Sequence, residues 1–338
     1  MTSDPGRPRR PASIKEVARL AGVSVSTVSH VINDTRFVSE PTRRRVLESI
    51  ARLNYRPNIM AQGIRGRKSR TIGLIVSNLS GSFFYRLVNA VCSYMHSQEY
   101  DVLVCNSEED IDNERRHIDT LLRKGIDGLI YAPVDYRNSY EELSGRQIPF
   151  VQIERKNGNY SSDYVDIDNV GEAKRITSYL LDRGCRRIGF IRHGSENYTG
   201  RRFDGYKQMC SAQGIYDPQL VINVTRDIDG ATELIRAWLS QSTGLDGLIC
   251  TNANICYSVL RILDEIGYKQ YENLMLFSFE ENRWLGLLKF PLFTLDQPIE
   301  SIGDTASRVL LERMAGNEQP PRDYFLECRI VEHGIVRE

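Results

Sequence analysis

The chain has 338 residues, 41% hydrophobic and 26% charged, enough to bury a sizeable core in two or three domains. Its seven cysteines (92, 105, 185, 210, 250, 256 and 328) show no metal or redox spacing, which fits a reducing compartment better than a disulfide scaffold. The opening "MTSDPGRPRRPAS" has no apolar run behind it, and no later run is long enough to span a bilayer. The expectation is a cytoplasmic protein with neither secretory leader nor membrane span.

Formal net charge is zero, but the charge is unevenly placed. Residues 1–70 carry fifteen Lys and Arg against five Asp and Glu, a net +10, which leaves −10 for the remainder. A basic head on an acidic body points to a polyanion partner for the head alone.

Residues 1–12, with arginines set between prolines, read as a basic, disordered arm. "SIKE" at 13–16 is a capping box, Ser13 and Glu16 satisfying each other's end of a helix. Ile14, Val17, Ala18 and Ala21 then follow one helical face, and Gly22 ends the helix. Ser24 caps a second helix whose buried stripe is Val28, Val31 and Ile32, with Val23 beside it. Its other face carries Val25, Ser26, Ser29, His30 and Asn33. A third helix starts at "SEPT", 39–42, and runs through Val46, Leu47, Ile50 and Leu53 to Asn54. Helix, glycine-bearing turn, helix is the pattern in which the second helix enters the major groove. Small hydroxyl side chains let its backbone approach base edges, and a β-branched valine can meet a thymine methyl. Residues 13–58 are therefore expected to form a DNA-reading domain, followed by a linker at 59–70.

From residue 71 short apolar runs alternate with amphipathic helical stretches. "TIGLIVS", "YDVLVCN", "DGLIYAP" and "PFVQIE" form one series; "YVDID", "RIGFIR", "QLVIN", "DGLICT" and "LMLFSF" form a second. The alternation predicts an α/β fold with parallel sheets. "GIDGLIY" at 125–131 recurs as "GLDGLIC" at 244–250, which argues for two similar lobes. The expected partition of 71–338 is lobe one at about 71–161 and 292–323, lobe two at about 162–291 and 324–338. There is no dinucleotide glycine triplet, Walker pattern or Gly-x-Ser-x-Gly elbow. The histidines (30, 96, 117, 193 and 333) and cysteines form no metal spacing. An enzyme is not expected, nor a cofactor or metal.

"SIKEVARLAGVSVSTVSHVIN" and "VSEPTRRRVLESIARLNYRPN" resemble the head of the lactose-repressor (LacI) family throughout. "SHVIN" followed by "TRFV" is the form of its purine-repressor-like members, and the resemblance runs along almost the whole chain. It implies that Val25, Ser26 and Thr27 open the recognition helix, with Ser29, His30 and Asn33 further along. His30 stands where many members carry arginine, so base choice is expected to lean on Val25, Ser26 and Arg36. His30 then adds a base or phosphate contact, and Arg43 a phosphate contact. "YRPNIMAQGIRGRKSRTIG" resembles the family hinge, with Asn58 and Ala61 at its start and Ile64 as the apolar wedge for the minor groove. Gly63 and Gly66 each cost about 1 kcal/mol in a helix interior, so the hinge is expected to fold only on DNA.

For the body the resemblance implies a fold like that of periplasmic sugar-binding proteins, with a ligand between two lobes. The implied contacts are Phe83 and Phe84 after the first strand, Glu154 and Glu280 where Asp is common, Asp168, Asn252, and above all Arg202 in "RRFDGY". The function expected is a transcriptional regulator, a repressor, binding a pseudo-palindromic operator as a homodimer and sitting at the nucleoid when bound. Its effector is expected to be a sugar or sugar derivative. The alternatives are a nucleobase or nucleoside co-repressor, or an architectural DNA-binding protein that senses nothing. "VEHGIVRE" carries no leucine heptad, so a dimer rather than a tetramer is expected.

Overall fold

The computed structural model describes residues 12–55, 69–79, 81–134, 143, 148–193, 196–224, 228–267, 271, 273–287 and 290–334. The chain divides into two compact units, 1–69 and 70–338. The first contains α1 (Ile14–Ala21), α2 (Val25–Asn33) and α3 (Glu40–Leu53). The capping box is formed: the Glu16 amide donates to Ser13 Oγ at 3.3 Å, and the Ser13 amide to Glu16 Oε2 at 2.7 Å. Gly22 turns the chain at φ +67°, a left-handed conformation that costs a glycine nothing. Ser24 caps α2 by accepting from the Thr27 amide at 3.1 Å. Val17, Ala18, Ala21, Val28, Val31 and Val46 form the small core, with Val23, Ile32, Ile50 and Leu53 packed on it. Leu47, on the outer side of α3, is 51% exposed.

The second unit is built on two six-stranded sheets. The first takes β1 (Thr71–Val76), β2 (Asp101–Asn106), β3 (Gly128–Tyr131), β4 (Phe150–Ile153), β5 (Asp163–Asp166) and β11 (Asp323–Phe325), in the order β11-β5-β4-β3-β1-β2. The second takes β6 (Ile188–His193), β7 (Val221–Val224), β8 (Gly247–Cys250), β9 (Met275–Ser278), β10 (Leu292–Asp296) and β12 (Arg329–His333), in the order β12-β10-β9-β8-β6-β7. All pairings are parallel except β10 with β12. The helices between strands are α4 (Ser82–Ser97), α5 (Ile111–Arg123), α6 (Asn169–Asp182), α7 (Glu196–Ala212), α8 (Ile228–Gln241), α9 (Ala253–Ile266) and α10 (Ile299–Met314). None of the described helices is long and apolar enough to cross a membrane.

The repeated "DGLI" has a structural reason. It forms β3 and β8, which occupy the same place in the two sheets. In each copy the aspartate anchors the neighbouring strand. Asp127 accepts from the Arg70 amide at 2.8 Å, and Asp246 from the Arg186 and Arg187 amides at 2.7 and 2.8 Å.

The chain passes between sheets three times: after β5, after β10 and between β11 and β12. The expected lobe boundaries are corrected accordingly. β5 pairs with β4 and so stays with the first lobe, β10 lies beside β9 in the second, and β11 returns to pair with β5 in the first. An apolar run does not record which neighbour it bonds to, so this partition was not readable from composition.

Candidate functional site

Two surfaces carry the expected chemistry. On the head, Val25 and Ser26 are exposed on the first turn of α2, with Val25 at 40%. Thr27, Ser29, His30 and Asn33 are half-buried. Ser24 Oγ lies 2.7 Å from Ser26 Oγ and 2.8 Å from Thr27 Oγ1, so the cap also orders the hydroxyls beside it. Asn33 donates to Ser29 Oγ at 3.1 Å, and His30 Nδ1 shares a hydrogen bond with Thr35 Oγ1 at 2.8 Å. Arg36 is exposed, and Arg43 is ion-paired with Asp34. Asn58, Ala61 and Ile64 lie outside the described residues.

The second surface is a cavity of about 160 Å³ within the core. The first lobe supplies Asn78, Gly81, Ser82, Phe83 and Phe84 after β1, Glu109 after β2 and Arg155 after β4. The second supplies Asn252, Ala253 and Asn254 after β8, and Glu280 and Asn282 after β9. Every group thus stands past the carboxyl end of a parallel strand, where α/β sheets open their crevices.

Each wall follows from local rules. The Phe83 and Phe84 rings meet edge to face, with centroids 5.2 Å apart at 89°, an arrangement aromatic pairs favour. Both are also core residues of the first lobe. Arg155 is aimed by an unusual turn: Glu154 has φ +59°, and the Arg155 amide reaches back to the Ile153 carbonyl at 2.5 Å. Non-glycine residues held this way are strained and gather at functional sites. The Arg155 guanidinium then grips Glu109 with two bonds, 2.9 and 2.6 Å, the fork geometry that suits a carboxylate. Across the cavity Asn252 caps α9 through the Ile255 amide at 2.9 Å, and Glu280 Oε2 accepts from the Ala253 amide at 3.1 Å. Burial pushes the Glu280 carboxyl above its ordinary value, while Arg202 and the Ala253 amide oppose it.

Four of the expected contacts, Phe83, Phe84, Asn252 and Glu280, therefore line one cavity. Three stand elsewhere. Glu154 is buried next to the wall, 3.4 Å from Arg155 Nε. Asp168 is exposed, caps α6 by accepting from the Gly171 amide at 3.0 Å, and is not among the residues lining the cavity. Arg202 is 4% exposed and lies behind the wall. Its Nε donates to Asn169 Oδ1 at 2.7 Å, its Nη1 to the Thr251 carbonyl at 2.6 Å, and its guanidinium lies 4.6 Å from the centre of the Phe279 ring. Gly205, three residues on, is what lets α7 approach: a Cβ there would fall 2.3 Å from the Val170 carbonyl oxygen.

Sequence reasoning missed Asn78, Ser82, Glu109, Arg155, Asn254 and Asn282. Their shared signal was position: each is a polar residue shortly past the end of an apolar run. Among the described residues no group of His, Cys, Asp and Glu could hold a metal ion.

Comparison with known proteins matches both parts of the chain. Residues 13–58 match the family described as bacterial regulatory proteins, lacI family, and 69–333 that of periplasmic binding proteins and sugar binding domain of LacI family. The chain is 29% identical to the HTH-type transcriptional regulator RegA of Clostridium saccharobutylicum, covering 95% of this chain and 98% of that one. It is 30% identical to the HTH-type transcriptional repressor PurR of Vibrio atlanticus (strain LGP32), covering 96% and 99%. Among solved structures it resembles a transcriptional regulator CelR–cellobiose complex, at 26% identity and a TM-score of 0.70 over 96% and 99% of the two chains. A LacI-family regulator from Silicibacter pomeroyi, at 24% identity, shares the fold with a TM-score of 0.81 over 95% and 98%. With both parts of the chain matched, the protein belongs to the LacI family and is one of its DNA-binding transcriptional regulators.

Proposed function

We propose that the protein is a repressor that binds a pseudo-palindromic operator as a homodimer through α2, and that the core cavity holds its effector, a neutral polyhydroxylated molecule of monosaccharide size. The observation that carries the reading is the cavity's composition: four side-chain amides, two carboxylates, a serine hydroxyl and two phenyl rings at the ends of strands from both lobes. Amides and carboxylates together offer donors and acceptors to a ring of hydroxyls, and phenyl faces suit its C–H side.

Charge argues for a neutral molecule. Among the described lining residues Arg155 is the one cation, and Glu109 already engages it. Glu280 opposes any phosphate or carboxylate. Size supports the same class, because about 160 Å³ falls below the ~300–1,000 Å³ of drug-sized sites. The edge-to-face Phe83 and Phe84 do not form the parallel slot that would sandwich a nucleobase. The similar CelR structure, whose complex holds cellobiose, supports a sugar theme.

The test is thermal unfolding of the full chain against neutral monosaccharides, disaccharides, sugar acids, sugar phosphates and nucleobases. At a hundredfold its Kd a ligand adds ~2.7 kcal/mol of stability, a shift of a few degrees. A neutral monosaccharide response that Glu280→Gln abolishes is the expected result. A response confined to nucleobases or phosphates would overturn the proposed effector class, and a lack of any response would favour an architectural role.

A further inference from the structure

Behind the cavity, Arg202 closes a run of buried polar side chains that reaches the first crossing between lobes. Asp166 ends β5 on the near side of that crossing, and Asn169 opens α6 on the far side. Asp166 Oδ2 accepts from the Tyr164 hydroxyl at 2.5 Å and from Asn169 Nδ2 at 2.7 Å. Asn169 Oδ1 in turn accepts from Arg202 Nε, while Arg202 Nη1 is bonded to Thr251 O, one residue before the cavity's Asn252. Phe279, over which the guanidinium lies, precedes Glu280. Asp166, Asn169 and Arg202 are buried, and Glu280 is half-buried at the cavity wall.

We infer that Arg202 is a positioning residue, a counter-ion shared between Asp166 at the crossing and Glu280 in the cavity wall, so that the state of one carboxylate is felt by the other. Both carboxylates, one buried and one half-buried, are drawn by the same guanidinium. A cation that serves two anions in a poorly solvated setting ties the ionisation of one to the charge of the other.

The other groups facing Asp166 are fixed or remote in effect: the Tyr164 hydroxyl, the Ile167 amide and Arg201 favour its anion, while the Cys328 thiol in the third crossing feels it only through charge. Glu280 is faced by Arg202 and the Ala253 amide. If the cavity is the effector site, as proposed above, a hydroxyl donated to Glu280 holds that carboxylate as its anion, and the charge so fixed opposes ionisation of Asp166. Occupancy is thereby reported at the crossing about which the lobes would move.

The test needs no ligand, so it can fail without touching the effector reading. The full chain, with aspartate labelled at the carboxyl carbon, is titrated by NMR between about pH 4 and 8, a window around the ordinary carboxyl range. In the parent protein, where burial pushes the Asp166 carboxyl up to about 6, the midpoint is expected inside that window. Glu280→Gln should lower that midpoint by roughly one unit, the size of effect a neighbouring charge exerts. Arg202→Gln should raise it. Glu280→Asp, which withdraws the charge by one methylene, should give a smaller fall and serves if the glutamine variant does not fold. A midpoint unmoved or raised in the folded Glu280 variants would overturn the shared counter-ion. A purely structural Arg202 would change stability in its own variant and leave Asp166 insensitive to Glu280.

Discussion

Val25 and Ser26 project from the first turn of α2 while the rest of that helix's polar face is half-buried in local bonds. Base choice should therefore rest on these two side chains. Exchanging them is expected to change the preferred duplex in a randomised selection, with each lost base contact worth about 1–3 kcal/mol. Arg43 is tied to Asp34 and flanked by Arg44 and Arg45, as befits a phosphate contact. Arg43→Ala should weaken all duplexes alike and reduce the salt slope by roughly 0.9 per phosphate lost; an altered sequence preference would reassign it to base reading. A second residue-scale expectation concerns Asp166, which burial pushes up from 3.8 to about 6. A carboxyl that holds its proton more tightly when folded contributes stability that is present below its unfolded value and disappears as pH rises through the folded one. Unfolding free energy should thus fall between about pH 4 and 6, by up to ~3 kcal/mol from this group alone. Asp166→Asn should flatten that fall in denaturant titrations across pH; an unchanged slope would place the proton elsewhere.

At the scale of elements, the sequence carries the helices of the head almost to the residue, because caps and left-handed stops are local: Ser13, Gly22 and Ser24 each act on neighbours within a turn. The apolar runs likewise locate β1 to β9. β11 and β12 are partly exposed strands at sheet edges, so they lack the buried run that would announce them. The cavity was half legible. Arg202, Phe83, Phe84, Asn252 and Glu280 were found through resemblance, yet resemblance alone could not say that Arg202 stands behind the wall or that Asp168 is a cap. Glu109 and Arg155 meet only because β2 and β4 end on the same side of one sheet, a fact of topology rather than of pattern. The approach of α7 to α6 is the element contact most sensitive to one atom. Gly205→Ala places a Cβ 2.3 Å from Val170 O and 2.7 Å from Ala173 Cβ. It should destabilise the chain by ~1–3 kcal/mol, as overpacking does. The measurement is the denaturant midpoint at unchanged slope, and a neutral result would mean that the helices can part freely.

At the scale of the molecule, the threefold passage of the chain between sheets sets the order in which the halves can be completed during synthesis. The first lobe is begun by β1 at residue 71 but lacks α10 and β11 until residues 299–325 have been made. The second is built almost wholly from the continuous segment 169–296 and lacks only the edge strand β12. On a ribosome adding about 5–20 residues per second, the half that starts first must wait on the order of ten seconds with an open sheet edge at β5. The half that starts second can close its core meanwhile. A nascent chain halted near residue 300 should accordingly protect the later lobe from protease before the earlier one.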